Sequence, residues 1–195
     1  MAFKTIELSG RYNFDLAKDI KANSGLFTSI AGVEVNGSLL ANLPMGRQKF
    51  WGVPFILGKS KVIAVSGNAG NRIPEKAVIK INKKADRILF AHCVDSERSV
   101  TGDIDHMTAG AMVGSYQIKL KEHGVILQPL RRRFEIGNYL NRWGDTAFGC
   151  RKHAMQRRFK APEDYKVGQW GVFQTGNDGE IYFPDPVWWL FDWVN

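Results

Sequence analysis

The sequence predicts an all-β fold, an antiparallel β-sandwich of the jelly-roll type, and three observations lead there. Roughly ten short apolar or alternating runs are separated by turn residues, the spacing of a sandwich or barrel. Helical periodicity is almost absent. The span 42–57 concentrates Pro44, Pro54, Gly46, Gly52, Phe50, Trp51 and Phe55 in one stretch, and no helix tolerates that, because Pro removes a backbone donor and Gly loses more entropy on ordering.

In chain order, Phe3, Ile6 and Leu8 suggest an opening strand closed by Ser9 and Gly10. Residues 12–20 read as one helical turn or a loop, with Asn13 or Asp15 as its cap. Residues 23–41 read as a long loop with a brief strand at 31–35. In 42–57, Pro44 and Gly46 suit a tight turn. Phe50, Val53, Phe55 and Leu57 form the apolar face of a strand that starts or bends at Gly52, with Pro54 placing it late or at an edge. Residues 62–65 and 77–81 are β-branched strands. The apolar run 88–94 reads as a central strand buried on both faces, and 95–111 as a polar loop. Alternation over 113–120, a turn at 122–124 and an apolar return over 125–130 predict a hairpin. Phe134 to Ile136 continue that strand, 147–150 is a short core strand, 151–160 is charged with poor β patterning, 170–173 is a strand, and 187–194 is a very aromatic final strand.

The chain of 195 residues with 44% hydrophobic content fits a single domain able to bury a core without staples. Cys93 and Cys150 are too few for a disulfide framework and lack zinc-pair spacing, so they read as buried thiols. The first residues lack the apolar core of a signal peptide and no later stretch is apolar enough to span a bilayer. The net charge of +8 gathers at Arg131, Arg132 and Arg133, across 151–160, and at Lys83 and Lys84. Such charge attracts polyanions, but no zinc-finger, helix-turn-helix, RNP or KH pattern accompanies it, which argues against nucleic acid as partner. No membrane partner is expected either.

Four stretches carry a resemblance. They are Leu43 to Gly46 leading into Phe50 to Phe55, then Ala85 to His92, Leu130 to Ile136, and Val187 to Asn195. Together they resemble a β-sandwich domain, related to the galactose-binding-like jelly rolls, that accompanies bacterial glycoside hydrolases and polysaccharide lyases. The resemblance implies a non-catalytic accessory module that binds glycan weakly or supports a catalytic partner domain or subunit. It also implies a further strand after the Trp-Asn ending, which makes this chain a candidate fragment lacking its last strand.

The residues offer chemistry of their own. Sugars stack their C–H faces on indole while Arg, Asn or Asp bind hydroxyls, so Trp51, Trp143 and Trp188, with His92, Arg131 and Arg133, are the candidate carbohydrate-binding residues. Because Trp188, Trp189 and Trp193 share one strand, alternation sets Trp188 opposite the other two and requires an outward ring. Such a ring beside the arginines would suit an acidic glycan or a neighbouring domain. Asp103 and Asp105 are weak structural Ca²⁺ candidates, set against the plainer reading of a solvated loop without the EF-hand pattern. No other cofactor is expected. His92, His106, His123 and His153 lack helical zinc spacing, and His92, inside an apolar run, reads as a hydrogen-bonded core or cleft residue. Two alternatives stand beside the accessory module. One is a small lyase or hydrolase of acidic polysaccharide using His92, an arginine of 131–133 and an aspartate of 103–105. The other is a purely structural interdomain or subunit module.

Overall fold

The computed structural model describes residues 3–19, 40, 42–67, 73–94, 109–139, 146–154, 158–160, 174–175, 181–184 and 186–195. The chain is all-β. Its strands are Phe14–Asp15 (β1), Arg47–Phe50 (β2), Val53–Ile56 (β3), Lys61–Val62 (β4), Arg87–His92 (β5), Met112–Leu120 (β6), Gly124–Arg131 (β7), Arg151–Lys152 (β8), Arg158–Lys160 (β9), Gln174–Thr175 (β10), Ile181–Pro184 (β11) and Trp189–Val194 (β12). They form several small antiparallel sheets: β1-β4, β2-β3, β6-β7, β5-β12-β8 and β10-β11-β9. The chain divides into two compact units, one up to Ala85 apart from residues 30–32, the other comprising those residues and everything from Asp86 onward. Among the described residues no helix is long and apolar enough to cross a membrane.

In the first unit the 42–57 span is a hairpin. Phe50 pairs with Val53 across a two-residue turn, and Trp51 and Gly52 both have positive φ, 49° and 86°. That is the geometry of a type I′ turn, whose twist matches the flanking strands. Gly52 therefore reverses the chain, where the sequence suggested only the start or bend of one strand. Alternation from the Phe50–Val53 closure makes Lys49–Pro54 a non-hydrogen-bonded pair, so the nitrogen of Pro54 points away from its partner strand and the ladder loses nothing. Phe50 turns inward, its ring 5.4 Å from Phe55, and joins Phe14, Leu16, Leu40 and Leu43 among the buried apolar residues. Strand β1 is anchored by Asn13, which accepts from the Ala64 N–H at 2.7 Å and donates to the Ala64 carbonyl at 2.8 Å. The Asp15 carboxylate accepts from the Ala17 N–H at 3.0 Å, a local turn of the kind its short side chain favours.

In the second unit β12 is the middle strand of its sheet among the described residues. Its register against β5 sets Trp189 opposite His92, Phe191 opposite Phe90 and Trp193 opposite Ile88, and strict alternation buries all three β12 aromatics. The sequence placed β5 at the centre because its run is continuously apolar. Its residues are instead only partly covered, one face meeting the β12 rings and the other carrying Leu89, Ala91 and the Arg87–Asp192 ion pair at 2.9 Å. The predicted hairpin is present as β6-β7, closed at Leu120 and Gly124. Tyr116 of β6 stacks on Phe90 with centroids 4.1 Å apart, which lays the inner face of the hairpin against the β5-β12 aromatics.

Other expectations change. Residues 3–8 and 77–81 form no ladder, and Val78 and Ile79 are exposed, so β-branched composition alone did not supply a partner strand. Residues 133–135 are a turn and not a continuation of β7, because Arg133 takes a positive φ of 62° and reverses the chain. Residues 148–150 are bends and Ala147 joins no ladder; Ala147 is buried and Phe148 exposed. The expected outward tryptophan is not found in the final strand: Trp188 lies just before β12, 7% exposed, its N–H donating to Nδ1 of His153 at 3.1 Å while the His153 N–H donates to its carbonyl at 2.9 Å. The strand readings at 31–35 and 170–173 lie outside the described residues.

Candidate functional site

Three sequence candidates of the second unit, His92, Arg131 and Arg133, meet at the turn that follows β7. Glu135 organises that turn. Its Oε2 accepts from the backbone N–H of Arg131 at 2.9 Å and from the Arg131 Nε at 3.1 Å, and its Oε1 accepts from Nη2 at 2.5 Å. A two-pronged guanidinium–carboxylate pair fixes planes as well as distance. Through the hydrogen bonds from Arg131, the Glu135 carboxyl is held below its ordinary range despite its burial. The same partnership pushes the Arg131 guanidinium further up.

Around this anchor two phenylalanine rings stand between two arginines. The Arg131 guanidinium carbon lies 4.8 Å from the Phe134 ring centroid, Phe134 and Phe148 are 5.6 Å apart, and the Arg133 guanidinium carbon lies 5.5 Å from the Phe148 ring. The backbone aligns the two segments, since the Phe148 N–H donates to the Arg133 carbonyl and the Gly149 N–H to the Phe134 carbonyl. Phe148 is 70% exposed, and the Arg131 side chain is nearly half exposed. The result is a surface ladder of two cations and two rings, able to present an apolar face beside fixed positive charge.

Beneath it lies His92. Its Nε2 is 2.9 Å from the Glu135 backbone carbonyl and its Nδ1 is 2.7 Å from the Tyr116 hydroxyl. A carbonyl can only accept, so Nε2 carries the proton and the Tyr116 O–H donates to Nδ1. Burial depresses the imidazole to about 4 and pushes the Tyr116 phenol above its ordinary range. With Phe90 and Phe191 stacked alongside at 6.4 and 6.1 Å, His92 is neutral at pH 7 and both ring nitrogens are engaged. It matches the hydrogen-bonded core residue read from the sequence.

Deeper still, Trp189, Val187 and Ala147 form a buried cluster with Cys93 and Cys150 packed against it. The Trp189 indole rests on Gly137, where an added Cβ would come within 2.3 Å of the ring, and its Nε1–H donates to the Asn138 carbonyl at 2.8 Å. Burial raises the Cys150 thiol to about 12. Both cysteines are thiols outside any disulfide.

Of the sequence candidates, Arg131 and Arg133 meet in the ladder and His92 lies under it. Trp188 is buried. Trp51 is half exposed at its hairpin tip in the first unit. Trp143, Asp103 and Asp105 lie outside the described residues. Among the described residues no three His, Cys, Asp or Glu side chains gather to hold a metal ion. Phe134, Phe148, Glu135 and Tyr116 were not singled out as site residues. The available signal was the i, i+4 spacing of Arg131 and Glu135, which strand geometry hides and a turn reveals. Comparison of the chain with models of known protein families, with curated proteins and with solved structures gave no match.

Proposed function

We propose that this chain is a non-catalytic, carbohydrate-associated module of the jelly-roll sandwich, galactose-binding-like type, which holds acidic glycan weakly through the ladder from Arg131 to Phe148. The carrying observation is the exposed Phe148 ring flanked by Phe134 and the Arg133 guanidinium, with Arg131 over Phe134. An aromatic face receives the C–H side of a pyranose, and the Arg133 guanidinium receives its carboxylate or sulfate, Arg131 being paired with Glu135. The engaged, neutral His92 favours this over the lyase or hydrolase reading, since a general base needs a free nitrogen within reach of substrate. The packing of β6-β7 on the β5-β12 aromatics favours a sandwich.

The test is a glycan-binding screen on the chain with polygalacturonate and neutral galactan at low and high salt. Binding that prefers polygalacturonate, weakens with salt, and falls about tenfold in F148A/R133Q is expected; tenfold corresponds to about 1.4 kcal/mol. Equal binding of the neutral glycan, or none of either, overturns the reading.

A supporting role beside a catalytic partner has its own observation. The outer face of the β6-β7 hairpin presents Met112, Val125 and Leu127, each at least 60% exposed, with Arg131 on the same face opposite Met112. An apolar stripe of this kind suits a docked domain. Unchanged sedimentation and glycan binding in V125S/L127S, in the presence of the partner enzyme, would remove this role.

A further inference from the structure

The first unit contains a groove of about 490 Å³, within the roughly 300–1,000 Å³ of small-ligand sites. One wall comes from β2 and β3, with Arg47, Gln48 and Pro54; Phe3, Lys4 and Lys83 also line it. Among the described residues no carboxylate lines the groove. Lys4, Arg47 and Lys83 form no ion pair among the described residues. Glu7 is within electrostatic reach of Arg47, but its Oε1 is engaged by the Ser9 N–H at 2.9 Å. Three cations lining one open depression give it a positive local potential, which draws an anion. Phe3, 41% exposed, and the exposed Pro54 offer apolar surfaces that a bare phosphate would not use, while Gln48 offers both a donor and an acceptor to hydroxyls.

We infer that this groove is a second binding site, separate from the arginine–phenylalanine ladder, and that it takes an anionic pyranose, a sugar ring bearing a carboxylate or a sulfate ester. It shares its ligand class with the proposed function but not its residues, so each can fail alone. Substitution of Arg47 and Lys83 removes two of the three charges without touching a buried side chain.

The experiment is amide NMR of the full chain titrated separately with tetragalacturonate, a sulfated galactose tetrasaccharide, a neutral galactose tetrasaccharide and tripolyphosphate. Shifts at the Lys4 and Gln48 amides with either anionic sugar are expected, weakened about tenfold or more in R47Q/K83Q and retained in F148A/R133Q. The carboxylated and sulfated sugars, compared with each other, identify which anion the groove prefers. Groove amides that stay still with both anionic sugars overturn the inference, whatever happens at the ladder. So does a neutral sugar that binds as well, and so does tripolyphosphate that binds as tightly as the sugars, which would make the groove a simple charge trap. A folded spectrum for R47Q/K83Q guards against reading misfolding as lost binding.

Discussion

The Tyr116 hydroxyl donates to Nδ1 of His92 at 2.7 Å, across the boundary between the β6-β7 hairpin and the β5-β12 sheet. Since Nε2 of the same ring is 2.9 Å from the Glu135 carbonyl, one imidazole ties the hairpin, the sheet and the arginine turn together. Burial keeps the ring neutral, because protonation would place a charge among the packed aromatic rings away from water.

Stability should therefore depend on pH through His92. Its folded value of about 4 lies below the ordinary value near 6.5, so between these values the unfolded chain binds more protons and stability rises with pH. The contribution is fully present above about pH 6.5 and is lost progressively as pH falls towards 4, a total on the order of 3 kcal/mol. Urea unfolding of wild type and His92→Gln at several pH values between 4 and 7.5 checks this. The variant should be less stable at pH 7 and should show a flatter slope across the window; parallel slopes would contradict it.

Gly137 is required for space. An added Cβ meets the Trp189 ring well inside van der Waals contact, and Trp189 is 1% exposed with no room to retreat. Gly137→Ala should cost roughly 1–3 kcal/mol as overpacking, measured by the denaturation midpoint at constant m value.

Trp51 sits at a positive φ that bulky residues adopt at a cost of about 1–2 kcal/mol. Asn is the favoured residue there in a type I′ turn. Trp51→Asn should leave the unfolding free energy equal or raised by about 1 kcal/mol, with a loss of acrylamide-quenchable emission. A marked destabilisation would show that contacts of the half-exposed ring outweigh the backbone cost.

Burial lifts the Cys150 thiol to about 12, which leaves almost no thiolate at pH 8. Iodoacetamide labelling followed by peptide mapping should find Cys150 unmodified in the folded chain and fully modified in urea. Rapid native labelling would place the thiol nearer to solvent.

The sequence by itself determined the kind of structure. Alternation over 113–120 calls for a strand with one buried face and is found in β6, with the return over 125–130 in β7; the aromatic final strand read over 187–194 is present as the shorter Trp189–Val194. Pro and Gly density fixed 42–57 as turn and strand, although the reversal at Trp51 and Gly52 needed two consecutive positive φ angles that a tryptophan does not advertise. Tertiary structure decided the rest, because strand pairing and turn direction depend on partners distant in the chain. Among the described residues β12 became the middle strand by drawing β5 and the remote β8 to its edges, and Ala77 to Ile81, equally apolar in pattern, found no partner there. Arg131 and Arg133 were visible as charge, but their partners Glu135, Phe134 and Phe148 came together only when Arg133 turned the backbone and the 147–150 segment bonded to it. Local sequence sets which faces a strand can bury; long-range pairing sets what those faces meet.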